Sequence, residues 1–441
     1  MDARDVALSV LLDVECNHAF SNQAIGTALK KNQFSDKAER AFLTRLTEGT
    51  IEYRIRLDYV INQFSKTKIN KCKPLIACLL RMGCYQILYM DSVPDSAACN
   101  ESVKLAKKHG FSGLSGFVNG VLRAVVRNKN EIVYPDMEKQ PVLARSVLYS
   151  TPEWLVKKLL SDYGEQADRI LAASFEDRMT SIRLNRACIE ENGDTAESYL
   201  DKLKQAGIHV QAGYYDPDAR LISGYDFIHK IPGYRQGCFT VQDESSMAAV
   251  RAAAIKPGDF VMDVCAAPGG KTTAAAAYAG VTGRVLSMDI AEDKLEKIAE
   301  NVSRQQLANV EIRCHDAREF EAEYAETADV VIADVLCSGL GILGRKNDIK
   351  YRVSKEQLQE LIQIQRNILD VVCRYVKPGG TLLYSTCTIN PDENERQVDW
   401  FLAGHPEFSL RMSRQFLQGI DQCDGFYYAV MQLDGRKSKK G

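Results

Sequence analysis

The chain has 441 residues, 45% of them hydrophobic and 26% charged, a composition that supports globular folding in roughly two to four domains. No run approaches the ~18 apolar residues of a membrane span, and the N-terminus lacks the basic-then-apolar layout of a signal peptide, so a cytoplasmic location is expected. The net charge of −2 hides an asymmetry: residues 1–150 carry 21 Lys+Arg against 15 Asp+Glu, and the remainder 35 against 43. The basic N-terminal part suits an anionic partner such as nucleic acid, although a solvated surface can carry the same imbalance.

Thirteen cysteines without a single CxxC pair exclude a disulfide framework and a zinc ribbon, and no metal is expected. Most of these thiols should be buried small hydrophobes, so a special cysteine must be recognised by its neighbours.

Residues 1–130 read as helices only. Val6, Val10, Leu11 and Val14 recur at helical spacing, and Asp36 with Glu39 forms an approximate capping box before Phe42, Leu43 and Leu46. Pro74 suits the first position of a helix carrying Leu75, Ile76, Leu79, Leu80 and Ile87. Further helices are predicted over Ser96–Lys108, before Gly110, and over Phe117–Arg127. Residues 131–150, with Pro135 and Pro141, read as a linker.

Residues 151–235 form a small α+β module in this reading. It has helices at Trp154–Leu160 and Asp194–Ala206 and strands at Ser181–Asn185 and Ile208–Val210. From 236 to 434 strands and helices alternate. The apolar runs Phe260–Val264, Val285–Met288, Val310–Ile312, Val330–Ala333 and Thr381–Tyr384 are separated by helices such as Lys294–Gln306 and Lys355–Val376. That alternation predicts a mostly parallel Rossmann-like α/β sheet, with ligands at the carboxyl ends of its strands. The Lys/Arg/Ser-rich residues 435–441 read as a disordered tail.

The segment Cys265-Ala266-Ala267-Pro268-Gly269-Gly270-Lys271 follows the first of these strands and opens an alanine-rich helix. Small residues let a ligand approach the backbone, and free N–H groups at a helix start favour a carboxylate or phosphate. A Walker loop is excluded, because Cys265 stands where its first glycine is needed, and no GxGxxG is present. A purely structural turn would fit this segment by itself. Asp289, Asp316 and Asp334 follow at or just beyond three successive strands, a pattern that folding does not require.

Cys337 and Cys387 stand just beyond two sheet strands, next to loops at the expected active edge. A random pair of cysteines is usually two buried thiols; position and neighbours reverse that here. Carbon 5 of cytosine becomes nucleophilic once a thiolate adds at carbon 6, and a base must then remove the carbon 5 hydrogen. Such a reaction needs an activated cysteine, an acidic partner and a second basic group.

The segments Cys265–Lys271, Asp334–Lys350 and Tyr384–Glu395 resemble the RNA cytosine-C5 methyltransferases. Val93–Glu101 and Gly116–Arg123 are similar to the NusB-like helical domain that precedes the catalytic part in the bacterial ribosomal RNA branch of that family. The resemblance implies three parts: a NusB-like all-α domain, an RRM-like module and a class I methyltransferase domain that uses S-adenosylmethionine.

It also implies roles. Cys265, Ala266, Ala267, Pro268, Gly269, Gly270 and Lys271 cradle the amino-acid part of the cofactor, Asp289 holds its ribose and Asp316 lies beside its adenine. Cys387 is the nucleophile and Cys337 assists product release. Asp334, at the cofactor edge, contacts the cytosine near N3 with Lys271 as its electrostatic partner. Glu244 fits a segment of mainly structural role. Leu336 and Asn347 replace prolines usual in the family; without the ring that fixes φ, the backbone entering Cys337 is expected to be less constrained.

The module at 151–235 lacks the aromatic signature of a base-stacking RRM. Phosphate and shape contacts by Arg183, Arg186, Lys202 and Lys204 are therefore expected. The resemblance implies a monomeric enzyme that methylates cytosine in small-subunit ribosomal RNA. A transfer RNA enzyme and a non-catalytic RNA-binding assembly factor are the alternatives, and an intact Cys387 with a complete cofactor loop speaks against the latter.

Overall fold

The computed structural model describes residues 2–32 and 36–435, so most of the expected disordered tail lies outside the described residues. The chain divides into two compact units, Met1–Ser174 with Leu343–Arg352, and Phe175–Ile342 with Val353–Gly441.

The first unit is helical. Its central helix, Pro74–Tyr89, opens on Pro74 and buries every residue from Ile76 to Ile87, as a helix apolar on all sides should. Leu8, Leu43, Leu46, Leu57 and Leu122 belong to the same fully buried core. Arg81 on that helix is satisfied by both carboxylate oxygens of Asp58, at 2.6 and 2.9 Å. Asp36 caps the helix Lys37–Glu52 by accepting from Ala38 N–H.

Two features bear on the boundaries expected from the sequence. The expected linker contains the helix Pro141–Leu148, which begins on Pro141 and buries Ala144 and Val147. The helices Glu153–Tyr163 and Ala167–Ala172 group with the first unit rather than with the small sheet. Leu343–Arg352, far along the chain, also belongs to this unit. The buried Asp348 accepts from Ser21 N and Oγ and from Arg352 Nε, and Tyr351 Oη donates to backbone carbonyls of Glu52 or Ser150 at 2.9 Å.

The second unit holds two sheets. The smaller is antiparallel, with β1 (Thr180–Leu184), β2 (His209–Ala212), β3 (Ala219–Ser223) and β4 (Phe239–Val241) in the order β2-β3-β1-β4. The larger has β5 (Phe260–Asp263), β6 (Arg284–Asp289), β7 (Val310–Cys314), β8 (Ala328–Asp334), β9 (Val376–Thr386), β10 (Phe408–Phe416) and β11 (Phe426–Leu433). Their order is β10-β11-β9-β8-β5-β6-β7, parallel except where β11 joins β9 and β10.

From β5 the chain winds outward through β6 and β7, then returns to place β8 on the other side of β5. The order reverses between β5 and β8, and such a switch point opens a crevice at the carboxyl ends of the strands. No helix among the described residues is long and apolar enough to cross a membrane.

Candidate active site

The turn after β5 runs from Val264 to Gly269 into the helix Gly270–Ala279, and the Ala267–Pro268 peptide is cis. Gly269 has φ 97°, a left-handed conformation that glycine adopts without steric cost. The turn is tied to β6: Ala266 N–H donates to Met288 O at 2.9 Å, and Ala267 N–H to Asp289 Oδ2 at 3.1 Å. The helix has no side-chain cap, so its first N–H groups face the crevice end without a side-chain acceptor. An uncapped helix start beside an acidic strand end fits the carboxylate and ribose of a nucleoside that carries an amino acid with a free carboxylate.

Beneath the turn, the fully buried Asp263 accepts from Thr272 Oγ1 at 2.7 Å, while its Oδ1 has no hydrogen-bond partner among the described residues. Burial pushes its carboxyl up to about 7. Asp316, just beyond β7, is engaged by Arg318 at 2.6 Å, and that hydrogen bond holds its carboxyl below the usual range.

Lys271 links the turn to β8. Its Nζ lies 2.6 Å from Asp334 Oδ2 and 5.0 Å from the centre of the Phe426 ring. Asp334 Oδ1 accepts from Ser385 Oγ at 2.7 Å, across the register in which β8 pairs with β9. Two residues beyond Ser385 stands Cys387, whose Sγ is 3.3 Å from that of Cys337. Contact with the Cys387 sulfur and burial, with the Glu393 carboxylate in the same direction, raise the Cys337 thiol well above its ordinary value.

The loop after Cys337 is fixed on several sides. Gly341 N–H donates to Cys387 O at 3.1 Å, and Gly425 N–H donates to Gly341 O at 2.8 Å. The strands of chain are so close that a Cβ on Gly341 would lie 1.9 Å from Gly425 O. Leu336 is 60% exposed, but its carbonyl accepts from Gln365 Nε2 at 3.0 Å, a restraint on the backbone where the family's proline is absent.

The structure therefore brings Lys271, Asp334, Cys337 and Cys387 into one connected group and fastens Asp289 to the glycine turn. Asp316 makes no contact with that group; its partner is Arg318. Ser385, Gln365 and Glu393 were missed by the sequence reading. Ser385 and Glu393 carry one signal, nearness to Cys387 in the chain; Gln365, in the helix Lys355–Val372, carries none.

One sequence expectation is corrected. Arg183 is buried, donating to Gln242 Oε1 at 2.8 Å and Thr273 Oγ1 at 3.0 Å, so it joins β1 to the helix after the turn rather than meeting phosphate. Arg186, Lys202 and Lys204 are surface side chains paired with Asp218, Asp194 and Asp201. Glu244 is buried and accepts from Tyr214 and Tyr215 N–H at 2.7 and 2.9 Å, a structural placement.

Residues 250–432 match the family model of the 16S rRNA methyltransferase RsmB/F. Residues 1–127 match the NusB family, and 151–225 the ferredoxin-like domain of RsmF/B-like methyltransferases. The chain is 37% identical over 413 residues to the probable ribosomal RNA small subunit methyltransferase B of Bacillus subtilis (strain 168), covering 93% of this chain and 90% of that one. It is 32% identical to ribosomal RNA small subunit methyltransferase B of Vibrio vulnificus (strain YJ016), covering 98% and 99%.

Two solved structures share the fold. PH0851 has a TM-score of 0.82 at 23% identity, covering 98% of this chain and 99% of that one. NSun6 from Pyrococcus horikoshii, solved with SFG, has a TM-score of 0.58 at 18% identity over 65% and 99%. On the identity and coverage of its curated relatives, the chain belongs to the ribosomal RNA small subunit methyltransferase B family, enzymes that use S-adenosylmethionine.

Proposed function

We propose that the protein transfers a methyl group to carbon 5 of a cytosine in 16S ribosomal RNA through a covalent bond between Cys387 and carbon 6. The observation that carries this reading is the 3.3 Å contact of the Cys337 and Cys387 sulfurs beside the Lys271–Asp334 pair.

S-adenosylmethionine supplies an electrophilic methyl group. Cys265–Lys271 and the uncapped helix start would hold its amino-acid part, with Asp289 at the ribose and Asp316 near the adenine. The target base must leave its stack to reach the sulfurs. Asp334, held by Lys271 and Ser385, would fix the base at its N3 side.

The two sulfurs divide the remaining work. The raised Cys337 thiol keeps the proton of the pair, so its S–H can donate toward Cys387 as the latter attacks. The Cys387 thiolate bonds to carbon 6, and the displaced π electrons make carbon 5 the nucleophile toward the methyl carbon. Once Cys387 is bonded to carbon, its charge no longer holds the proton on Cys337, and that proton passes to solvent. The Cys337 thiolate then removes the hydrogen from carbon 5, the carbon–carbon double bond re-forms, and the bond to Cys387 breaks.

The test is incubation with labelled S-adenosylmethionine and 16S ribosomal RNA from cells lacking the gene, followed by nucleoside analysis. Label in 5-methylcytosine supports the reading. Label in another nucleoside, or in transfer RNA alone, contradicts it.

A further inference from the structure

Glu393 is fully buried on the short turn Pro391–Glu393, and four donors converge on its carboxylate. Oε1 accepts from Ser338 N–H at 2.8 Å and from Gln365 Nε2 at 3.0 Å. Oε2 accepts from Ser338 Oγ at 2.5 Å and from Asn390 Nδ2 at 2.9 Å. Gln365 Nε2 also reaches Leu336 O, so both peptide neighbours of Cys337 are held by this one cluster. Ser338 Oγ lies 2.7 Å from Thr388 Oγ1, so the hydroxyls of the residues after each cysteine pair as their sulfurs do.

We propose that Glu393 is a positioning residue that sets Cys337 at working distance from carbon 5, so that its loss stalls product release rather than methyl transfer. This rests on the role of Cys337 given above. Cys387 depends less on the carboxylate, because its backbone continues β9 and its carbonyl is held by Gly341 N–H.

The carboxylate is chemically specific. Each oxygen meets two donors, so Glu393→Gln must turn its NH₂ group toward the Asn390 amide or toward Ser338 N–H and Gln365. At least one donor of the cluster is then left without an acceptor, and the Cys337 loop relaxes. Exchanging polarity with a second change, Asn390→Asp, puts an acceptor opposite the new donor and should restore the clamp.

The experiment compares full-length wild type, Glu393→Gln, Cys337→Ala and the double variant Glu393→Gln/Asn390→Asp on unmodified 16S ribosomal RNA. Single-turnover methyl transfer, steady-state turnover and denaturant-stable protein–RNA adduct are measured in parallel. Glu393→Gln is expected to keep single-turnover transfer within about threefold of wild type. Its steady-state rate should fall about tenfold or more while adduct accumulates, as in Cys337→Ala, and the double variant should recover turnover.

Wild-type turnover by Glu393→Gln overturns the proposal, and so does an equal loss of both rates without adduct, which marks a merely structural role. If Glu393→Gln does not fold, Ser338→Ala, which removes one grip and leaves the backbone N–H in place, should show the same adduct in milder form. Its absence there overturns the proposal as well. Absence of adduct in Cys337→Ala overturns the underlying reading of the two cysteines, a failure distinguishable from that of Glu393 alone.

Discussion

Lys271 Nζ lies 2.6 Å from Asp334 Oδ2 across the point where the order of strands reverses, joining the glycine turn after β5 to the end of β8. Lys271 is 9% exposed and the Asp334 side chain 28%, so solvent screens the pair only in part. Lys271→Met should lower kcat by roughly 10²-fold, the loss typical of removing one preorganised charge partner. The check is steady-state kinetics on unmodified 16S ribosomal RNA, with thermal melting as a control for folding.

Asp289 accepts Ala267 N–H and ends β6, where a ribose would be held. Asp289→Ala should weaken binding of S-adenosylhomocysteine about tenfold to hundredfold, the range for a lost hydrogen bond to a charged group. Titration calorimetry measures this directly, and unchanged affinity would remove Asp289 from the cofactor site.

Gly341 has no room for a side chain, since its Cβ would meet Gly425 O at 1.9 Å and Cys387 O at 2.9 Å. Gly341→Ala should cost more than the ~1–3 kcal/mol of ordinary overpacking and should lower activity by displacing the Cys337 loop. Gly344→Ala, whose nearest neighbours lie at 3.6 Å, serves as the control and should leave both properties near wild type. Chemical denaturation and turnover assays on the two variants make the comparison.

Burial pushes the Asp263 carboxyl up to about 7, so between its ordinary value of 3.8 and about 7 the folded protein binds this proton more tightly than the unfolded chain does. The sign follows: this group makes stability fall as pH rises through that window, by up to about 1.4 kcal/mol per pH unit, and flatten above it. Asp263→Asn removes the contribution. Its stability relative to wild type should therefore improve as pH rises from about 5 to about 7, measured by urea unfolding.

What the sequence made legible was local. The turn Cys265–Lys271, the acids at strand ends and the two cysteines each sit within a few residues of a strand, so their motifs carry their surroundings with them. Misreadings arose where burial is set by distant residues. Arg183 looks like a surface cation, yet its acceptors Gln242 and Thr273 lie 59 and 90 residues further on. The burial of Asp348 against Ser21, 327 residues earlier, is likewise invisible in the local sequence.

Strand β10 was not read from the sequence, although Phe408, Leu410 and Met412 alternate with Ser409, Arg411 and Ser413; Leu410 and Met412 are exposed at the sheet edge. Glu393 could be seen beside Cys387, but its partners Ser338 and Gln365 come from 55 and 28 residues away. Only the packed chain shows why a carboxylate is needed there.

The most direct test of the account is to trap Cys337→Ala on unmodified 16S ribosomal RNA, digest the complex and identify by mass spectrometry the peptide that carries the nucleotide. The account predicts a methylated cytosine nucleotide on the peptide containing Cys387, and no adduct when Cys387→Ala is added. A nucleotide on any other residue, or normal turnover by Cys387→Ala, would contradict it.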